Sequence, residues 1–419
     1  MNVELKDICS FQEGYVNPAQ THNEYFDGNI KWIRATDING TYIYNTSRTL
    51  TKEGFNSAGK SAKLFEPNTL IISKSGTIGK LGILKDYMCG NRAVINIKPD
   101  LSRVTLMYLY YSIKLKLDYI KGLARGSVQK NLYVFMLEKV KIYLPDVEIQ
   151  KKMIKYLEDI DKKIELNNKI NNNLYELSQK IYNRWFVDFE YPISSNQTYK
   201  SNGGSFKEAD GLVVPDNFIV NKLDEICDCQ NGHAFYKERY DDSGLMVIDL
   251  GNVSLQGNFI YTNADKYIDR NRIPNEKFIV KKNDLVMIMT DRKATMDLLG
   301  KTAKIYEDKE YALNQRIYRI RPTINVNYVY SFLNSSSTLE KLKGLALGSV
   351  QKYVNTNHIN DLKIVVPSAE IMNEYSKVVD PVFKRMEENI LENRNLEIMR
   401  DSLLPKLMNG EIDLDNIEI

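Results

Sequence analysis

The sequence is poor in cysteine, histidine and long apolar runs. Its 419 residues include four cysteines and three scattered histidines, too few for a disulfide scaffold or a zinc site. We therefore expect free thiols, either buried or in loops. No stretch of about 18 consecutive apolar residues occurs, so a membrane-spanning helix is not expected. The first residues lack the apolar core of a signal peptide. These absences predict a cytoplasmic protein.

Motifs that carry catalysis are also missing. The sequence has no Walker-type phosphate loop, no HExxH zinc motif and no nucleophile elbow. Its Asn17-Pro18 dipeptide is not the Asn-Pro-Pro-aromatic motif of adenine methylation. A stand-alone nuclease would rest on isolated Pro-Asp dipeptides such as Pro145-Asp146, which are weak support. We expect that the chain alone is not an enzyme.

What the sequence does contain is a long internal repeat. Residues 122–130 (GLARGSVQK) return as residues 344–352 (GLALGSVQK), with eight of nine positions identical at an offset of 222 residues. Solenoid repeats have units of about 20–50 residues, whereas this offset is the size of a domain. The chain is therefore predicted to hold two copies of one module.

The repeat extends well beyond that segment, at offsets between 215 and 223. The corresponding segments are residues 5–14 and 223–232, residues 70–72 and 285–287, residues 91–99 and 314–322, and Pro145 and Pro367. The drifting offset indicates insertions in loops around a common framework. Each copy then ends in a long helix-like stretch.

Charge is distributed unevenly along the chain. Residues 1–150 carry 20 Lys and Arg against 14 Asp and Glu, whereas residues 367–419 carry 6 against 12. Basic modules fit a polyanionic partner, and an acidic C-terminal region fits a different surface. The excess is modest, and proteins that bind no nucleic acid often have a similar one.

Each module mixes short strands with a helix. Short segments rich in Ile and Val predict strands, and apolar residues at helical spacing predict a helix. The predicted strands are residues 69–74, 81–84 and 92–98, with a helix at 105–122; the second copy has strands at 284–289, 302–306 and 316–321, with a helix at 326–344. The predicted fold class is mixed α/β (α+β).

Two long amphipathic helices are predicted, one at residues 149–186 and one that begins at residue 371, runs to Pro405 and stops at Gly410. A helix of about 36 residues is roughly 54 Å long and cannot bury its apolar stripe alone. We therefore predict an antiparallel coiled-coil pair that separates two globular modules related by a pseudo-twofold axis. Asn167, Asn168 and Asn393 interrupt the apolar seam. Either they are buried and fix the register of the helices, or they face solvent.

These patterns divide the chain into five segments. The first module spans residues 1–149 and is followed by a central spacer helix at 150–191. Residues 192–211 are rich in Ser, Asn and Gly and predict a flexible linker. The second module spans residues 212–368, and a C-terminal spacer helix and tail span 369–419.

A basic turn follows an apolar strand in each module. Residues 74–80 (KSGTIGK) superficially resemble a phosphate loop but lack its GK[ST] ending, so a tight strand-to-strand turn is favoured. A basic loop on a rigid scaffold can contact DNA phosphates and bases. The candidate contacts in the turns and the adjoining repeat segments are Lys74, Ser75, Thr77, Lys80, Arg92, Arg292, Lys293, Lys301 and Arg316.

The Gly-Ser-Val-Gln-Lys motif follows a helix in both copies. Gln can pair with adenine, and Lys with guanine or phosphate, in the major groove. Candidate contacts are therefore Gln129, Lys130, Gln351 and Lys352. Because the two motifs are almost identical, a structural turn or a backbone contact is favoured over base reading. Arg125 has Leu347 as its counterpart and is better placed to carry specificity.

Together, these features resemble the specificity subunit of type I restriction–modification systems. The resemblance covers essentially the whole chain. It rests on the duplicated module, residues 70–79 (LIISKSGTIG), the twin Gly-Ser-Val-Gln motifs, and the helix endings at residues 179–189 (QKIYNRWFVDF) and 403–412 (LLPKLMNGEI). The second module lacks the Lys-Ser-Gly-Thr turn, so the resemblance supports Arg292 and Lys293 less than Lys74.

The resemblance implies two target recognition domains, each reading half of a bipartite, asymmetric site on double-stranded DNA. It also implies helices that space these domains and bind two modification subunits. Adenine methylation with S-adenosylmethionine would belong to those subunits, and ATP- and Mg²⁺-dependent translocation and cleavage to restriction subunits, so this chain would bind no cofactor or metal. The alternative from another class is a coiled-coil adaptor with duplicated protein-binding domains. Salt-dependent, sequence-selective duplex binding separates the two.

Overall fold

The computed structural model describes residues 2–126, 130–235, 240–261, 266–291, 295–349 and 351–408. The chain forms two compact units, which we call unit 1 (Met1–Glu165 with Arg394–Ile419) and unit 2 (Leu166–Asn393). Each unit combines sheets, short helices and part of two long helices. The fold is therefore of the mixed α/β class that the sequence predicts.

Unit 1 contains the first repeat. Its strands are β1 (Asn2–Glu4), β2 (Cys9–Glu13), β3 (Phe26–Ile33), β4 (Tyr42–Ile43), β5 (Thr49–Leu50), β6 (Leu64–Phe65), β7 (Leu70–Ser73), β8 (Leu81–Leu84), β9 (Met88–Gly90), β10 (Val94–Pro99) and β11 (Lys141–Tyr143). Its short helices are α1 (Lys52–Asn56), α2 (Leu106–Leu115), α3 (Leu117–Leu123) and α4 (Val134–Glu138). The strands form a five-stranded sheet in the order β2-β10-β7-β8-β4, a four-stranded sheet in the order β5-β3-β9-β6, and the pair β1-β11.

Strand β7 is apolar on both faces because its sheet is covered on both sides. Leu70 and Ile72 pack in the core that includes α2, whereas Ile71 packs in a second core with residues of β3 and β9. All three side chains are fully buried, and each such burial stabilises the fold by about 1.5–3 kcal/mol. An uninterrupted apolar run is what a strand between two packed layers requires.

The long helix α5 (Val147–Tyr182) comes next and ends in a π-helical turn at Asn183–Val187. The strands after it are β12 (Pro192–Ser194), β13 (Gln197–Thr198), β14 (Phe206–Ala209), β15 (Leu212–Pro215), β16 (Ile219–Lys222), β17 (Cys227–Asn231), β18 (Leu245–Ile248), β19 (Lys266–Ile268), β20 (Ile279–Val280), β21 (Leu285–Ile288), β22 (Thr290–Asp291), β23 (Thr302–Lys304), β24 (Tyr311–Leu313), β25 (Ile317–Pro322), β26 (Lys352–Tyr353) and β27 (Lys363–Val366). The helices are α6 (Val326–Leu333), α7 (Ser336–Gly344), α8 (Thr356–Asn360) and α9 (Ala369–Met408).

Unit 2 repeats the sheet plan of unit 1. Its main sheets have the orders β17-β25-β21-β23 and β19-β18-β24-β20, with two-stranded pairs β16-β27, β22-β26, β12-β13 and β14-β15. Strand β21 occupies the position of β7. Leu285 and Met287 pack in one core, and Val286 and Ile288 pack in another. The predicted strands of both copies are confirmed, with ends shifted by one or two residues.

The helix predicted in each module is broken in the structure. Lys116 leaves helical geometry (φ −98°, ψ 9°) and separates α2 from α3. Asn334 (φ −93°, ψ 1°) separates α6 from α7 in unit 2. The Ser335 hydroxyl then accepts a hydrogen bond from the Thr338 backbone and caps α7. The prediction of one continuous helix is therefore wrong in both modules.

The two long helices are present. Helix α9 passes Pro405 and ends at Met408, close to Gly410, where the sequence predicts that it stops. Within unit 2, Asn167 pairs with Asn393 and Asn171 pairs with Asn389, so the two helices are antiparallel there. Asn167 and Asn393 are buried, which excludes the solvent-facing alternative for these two residues; that they fix the register stays a prediction. Asn168 is exposed.

The segment at residues 192–211 differs from the predicted flexible linker. It forms the hairpin of β12 and β13 and begins the hairpin of β14 and β15. Aromatic side chains order it: Tyr191 stacks on Tyr199 and Phe218, with ring centroids 4.8 and 5.2 Å away, and Phe206 lies 5.8 Å from Tyr199. Tyr191 and Phe218 belong to the core of unit 2.

Candidate nucleic-acid interface

The basic turn of unit 1 is held by hydrogen bonds across its base. The Ser73 backbone donates to the Lys80 carbonyl (2.9 Å), and the Gly79 backbone donates to the Ser73 carbonyl (3.0 Å). The Ser73 hydroxyl donates to the Thr77 carbonyl (2.6 Å) and accepts from the Lys80 backbone (2.8 Å). The segment is therefore a tight strand-to-strand turn, as the sequence favours.

Unit 2 has the same frame around a longer turn. The Ile288 backbone donates to the Lys301 carbonyl, and the Gly300 backbone donates to the Ile288 carbonyl, both at 2.9 Å. Gly79 and Gly300 have positive φ angles of 88° and 78°, which explains glycine at both positions. Six residues lie between Ser73 and Lys80, but twelve lie between Ile288 and Lys301.

Two further repeat segments meet at the first residue of each turn. In unit 1 the Lys74 backbone donates to the Ala93 carbonyl (2.7 Å), and its own carbonyl accepts from Leu132 (2.9 Å). In unit 2 the Met289 backbone donates to the Arg316 carbonyl (3.2 Å), and its carbonyl accepts from Val354 (3.0 Å). In each unit the start of the turn therefore meets the segment before the long strand, at Ala93 or Arg316, and the segment just after the repeated motif, at Leu132 or Val354.

The structural counterpart of Lys74 is thus Met289, which carries no charge. Lys74 is only 14% exposed and forms an ion pair with Glu13 at 2.8 Å. A lysine already neutralised by a carboxylate is less available to a phosphate. The role of Lys74 as a DNA contact stays a prediction. The sequence gives no sign of its pairing with Glu13, which is distant in sequence.

Lys80 and Lys301 occupy equivalent positions at the end of the two turns, and both are half-buried. Burial lowers the pKa of Lys80 from its usual value, while the nearby Asp37 opposes that shift. Burial, and then the neighbouring Lys343, lower the pKa of Lys301. A phosphate placed beside either lysine would favour its charged form.

The remaining predicted contacts differ in exposure. Arg92, Arg125, Lys130, Arg316 and Thr77 are exposed, whereas Ser75, Gln351 and Lys352 are half-buried. Arg125 pairs with Asn131 through two backbone hydrogen bonds of 3.0 and 2.8 Å, and Leu347 pairs with Tyr353 in the same way. Lys352 lies opposite Asp291 in the β22-β26 pair. Gln129, Arg292 and Lys293 lie outside the described residues.

Sequence reasoning missed one lysine in each module. The Lys121 side chain lies over Gly79, with its Cε 3.0 Å from where a Cβ of that glycine would stand. Lys343 acts electrostatically on Lys301. The two lysines are 222 residues apart and directly precede the repeated segment, so extending the repeat by one residue would have found them. We call the side chains of Lys80, Arg92, Lys121, Arg125 and Lys130 the basic turn surface of unit 1.

Unit 2 carries the corresponding basic turn surface, formed by Lys301, Arg316, Lys343 and Lys352. The residues at the ends of two corresponding strands also differ: Arg34 follows β3, whereas Asp249 follows β18. Arg34 donates to the Ser47 hydroxyl (2.5 Å), whereas Asp249 accepts from Lys266 (2.9 Å). The two surfaces thus share a backbone frame and differ in their side chains.

Other features of the described residues bear on chemistry. All four cysteines are free thiols, as expected, and burial raises the pKa of Cys9 and of Cys89 to about 12. Across the described residues, no three His, Cys, Asp or Glu side chains are grouped so as to hold a metal ion. Nor does any helix in that part of the chain combine the length and hydropathy of a membrane span.

Comparison with known proteins adds independent information. The family model described as the type I restriction modification DNA specificity domain matches residues 1–176 and 215–397. The MjaIX specificity subunit of a type I restriction enzyme from Methanocaldococcus jannaschii is 25% identical over 420 residues, covering 99% of this chain and 94% of that protein. The HindI specificity subunit from Haemophilus influenzae is 25% identical over 383 residues, covering 78% and 82%.

Solved structures also match along nearly the whole length. The S subunit of a type I restriction–modification system from M. genitalium has a TM-score of 0.47 at 15% identity, covering 97% of this chain and 95% of that one. The HsdS subunit from Thermoanaerobacter tengcongensis has a TM-score of 0.34 at 12% identity, covering 98% and 97%.

The family match includes both repeats and most of the chain, and it does not favour the adaptor alternative. The protein therefore belongs to the type I restriction–modification DNA specificity family, and it is a non-catalytic subunit that recognises DNA for such a system.

Proposed function

We propose that unit 1 and unit 2 each read one half of a bipartite, asymmetric site on duplex DNA. The observation that carries this proposal is the basic turn surface, which is built twice on the same backbone frame with turns of different length. A shared frame suits phosphate contacts that position the protein, whereas differing side chains suit base contacts that specify sequence. Arg125 is the first candidate for base reading, because the equivalent position of the second repeat is Leu347.

The partners follow from the same proposal. Two modification subunits would bind this chain and methylate adenine with S-adenosylmethionine, and restriction subunits would use ATP and Mg²⁺ for translocation and cleavage. The chain itself would bind no cofactor, in keeping with its lack of catalytic motifs. Such a complex would act on DNA in the cytoplasm.

An apolar groove of unit 1 is the surface that we assign to a modification subunit. Residues of α5 and α9 line this groove, whose volume is about 420 Å³, and they include Ile160, Met399 and Leu403. Met399 is half exposed at 50%. The complex needs a partner on this chain besides DNA, and a subunit that covered the groove would bury this apolar surface.

Met399→Asp tests this assignment. It should weaken binding of the modification subunit, measured by titration calorimetry, while DNA binding by the chain persists. Ile398→Asp is the matched control, because Ile398 is 55% exposed and does not line the groove. Equal loss in both variants, or in neither, would contradict this location.

Module exchange tests the reading of two half-sites. Residues 1–149 are replaced by the same region of a relative, and the methylated motif is read by methylome sequencing of the host. One half of the motif should change while the other half stays. The reciprocal exchange of residues 212–368 should change the other half. If either exchange altered both halves, the modules would not be independent readers.

A separate experiment tests whether methyl transfer belongs to the modification subunit and not to this chain. Duplex DNA and labelled S-adenosylmethionine are incubated with the purified chain, with and without the modification subunit. Methyl transfer should occur only when that subunit is present. Transfer by the chain alone would end the proposal of a non-catalytic reader.

A further inference from the structure

The seam of the two long helices in unit 2 is self-complementary. Asn167 donates to Asn393 (2.9 Å), and Asn389 donates to Asn171 (2.8 Å). At the repeat offset of 222 residues, Asn167 corresponds to Asn389 and Asn171 to Asn393. Exchanging each residue for its counterpart turns one contact into the other. This seam alone would therefore also let either helix pair with a second copy of itself.

Unit 1 contains a contact that breaks this equivalence. Asp161 of α5 is buried, accepts from Arg400 of α9 at 2.7 Å, and accepts from the Tyr111 hydroxyl at 2.8 Å. The counterparts of Asp161 and Arg400 are Phe383 and Ser178, which are both buried in unit 2. An ion pair in one unit thus corresponds to an uncharged pair of residues in the other.

The helix ends differ as well. Tyr182, Trp185 and Phe186 pack in the core of unit 2, where the Phe186 ring lies 4.8 Å from Tyr328 and 4.9 Å from Tyr375. Their counterparts at the end of α9 pack in the core of unit 1. Those counterparts are Leu404, Leu407 and Met408. Aromatic rings in one unit are matched by smaller aliphatic side chains in the other.

We propose that these differences make the helix pairing selective. The first half of the chain, residues 1–195, accepts the second half, residues 196–419, and each half rejects a second copy of itself. A pair of second halves would place Arg400 beside Phe383 without Asp161. It would also set Leu404, Leu407 and Met408 where unit 2 holds three aromatic residues. The surface therefore fits one partner, the other half of an identical chain.

The test uses the full chain, cut after folding. A protease site is inserted between Ser195 and Asn196, which form an exposed turn. The cut protein is unfolded in urea and refolded, and native mass spectrometry counts the mixed pair and the two homotypic pairs. Breaking a buried ion pair is strongly unfavourable, so pairs of second halves should be about a hundredfold or more below the mixed pair. Abundant homotypic pairs in this protein would overturn the proposal.

A gain-of-pairing variant makes the test sharper. Arg400→Ser, Leu404→Tyr, Leu407→Trp and Met408→Phe together give α9 the residues of the end of α5. Pairs of second halves should then become a major species, because both of their ends would reproduce contacts of unit 2. The matched control is Arg385→Ser on the same helix, since Arg385 is exposed and pairs with Glu388, three residues along the helix, at 3.2 Å.

Each outcome bears on the proposal. Homotypic pairs in the four-residue variant, and none in the Arg385→Ser control, support it. A four-residue variant that still forms only mixed pairs would show that selectivity lies elsewhere. If that variant does not refold, Arg400→Ser alone is measured against Arg385→Ser. Arg400→Ser should raise the proportion of second-half pairs, and equal proportions in the two single variants would refute the role of the ion pair.

Discussion

Removal of Lys80 should flatten the salt dependence of DNA binding without changing sequence preference. Lys80 is fixed by its backbone hydrogen bond to Ser73, and its half-buried side chain lies in the basic turn surface of unit 1. A protein that neutralises a phosphate releases counterions, and each contact contributes about 0.9 to the slope of log K against log salt. Five cations on this surface, including Lys121, which pairs with Asp118 at 2.9 Å, set an upper limit of about 4.5 for unit 1.

Lys80→Ala should therefore lower the size of that slope by about 0.9. Between 50 and 200 mM salt, the variant should lose about threefold less affinity than the unmodified protein. Lys301→Ala should have the same effect through unit 2. The measurement is fluorescence anisotropy of the chain with its modification subunit, titrated onto duplexes with and without the methylated motif. Affinity for both duplexes should fall by a similar factor, because a phosphate contact carries no sequence information.

Lys151→Ala is the control, since Lys151 lies on α5, is exposed and pairs with Glu148 at 2.7 Å. Its slope should equal that of the unmodified protein. Lys80→Arg keeps the charge and should also preserve the slope. If Lys80→Ala leaves the slope unchanged, Lys80 does not face the duplex and the basic turn surface is wrongly placed. If affinity falls only for the duplex with the motif, Lys80 reads a base instead.

Three further predictions concern single residues. Arg125→Ala should relax selectivity at one half-site by about 1–3 kcal/mol, measured with duplexes substituted at each position, and a uniform loss would assign Arg125 to the backbone. Gly14→Ala should destabilise the fold by about 1–3 kcal/mol or more in urea unfolding, because its Cβ would stand 2.1 Å from the Asn91 carbonyl oxygen, whereas Gly40→Ala, with open space, should not. Burial lowers the pKa of Lys304 to about 8 in the folded protein. Above that pH, Lys304 keeps its proton in the unfolded chain but loses it in the folded one. The stability of the protein relative to Lys304→Met should rise between about pH 8 and pH 10, by up to about 3 kcal/mol, and a flat difference would contradict this.

The strands and the repeat could be predicted because their causes are local in sequence. Residues 70–72 are apolar without interruption, and the structure buries them between two layers. The same holds for residues 285–287. The repeat offset also identified the equivalent turns, since insertions fall in loops and leave the hydrogen-bonded frame unchanged.

Contacts between distant segments could not be predicted in this way. Nothing near Lys74 in the sequence indicates Glu13, which reaches it from β2 across the sheet. The linker prediction relied on Ser, Asn and Gly content, whereas Tyr191, Tyr199 and Phe206 decide the structure by stacking in unit 2. The two possible environments of Asn167 also needed the partner helix, because periodicity shows a position on a helix but not what lies opposite.

The discontinuity of unit 1 has a consequence for synthesis of the chain. Residues 394–408 complete this unit, but the ribosome makes them after the 228 residues of unit 2. At about 5–20 residues per second, Asp161 waits about 10–50 s for Arg400. The part of the protein that is begun first is therefore finished last, and a chain that stops at residue 393 contains all of unit 2 but an incomplete unit 1.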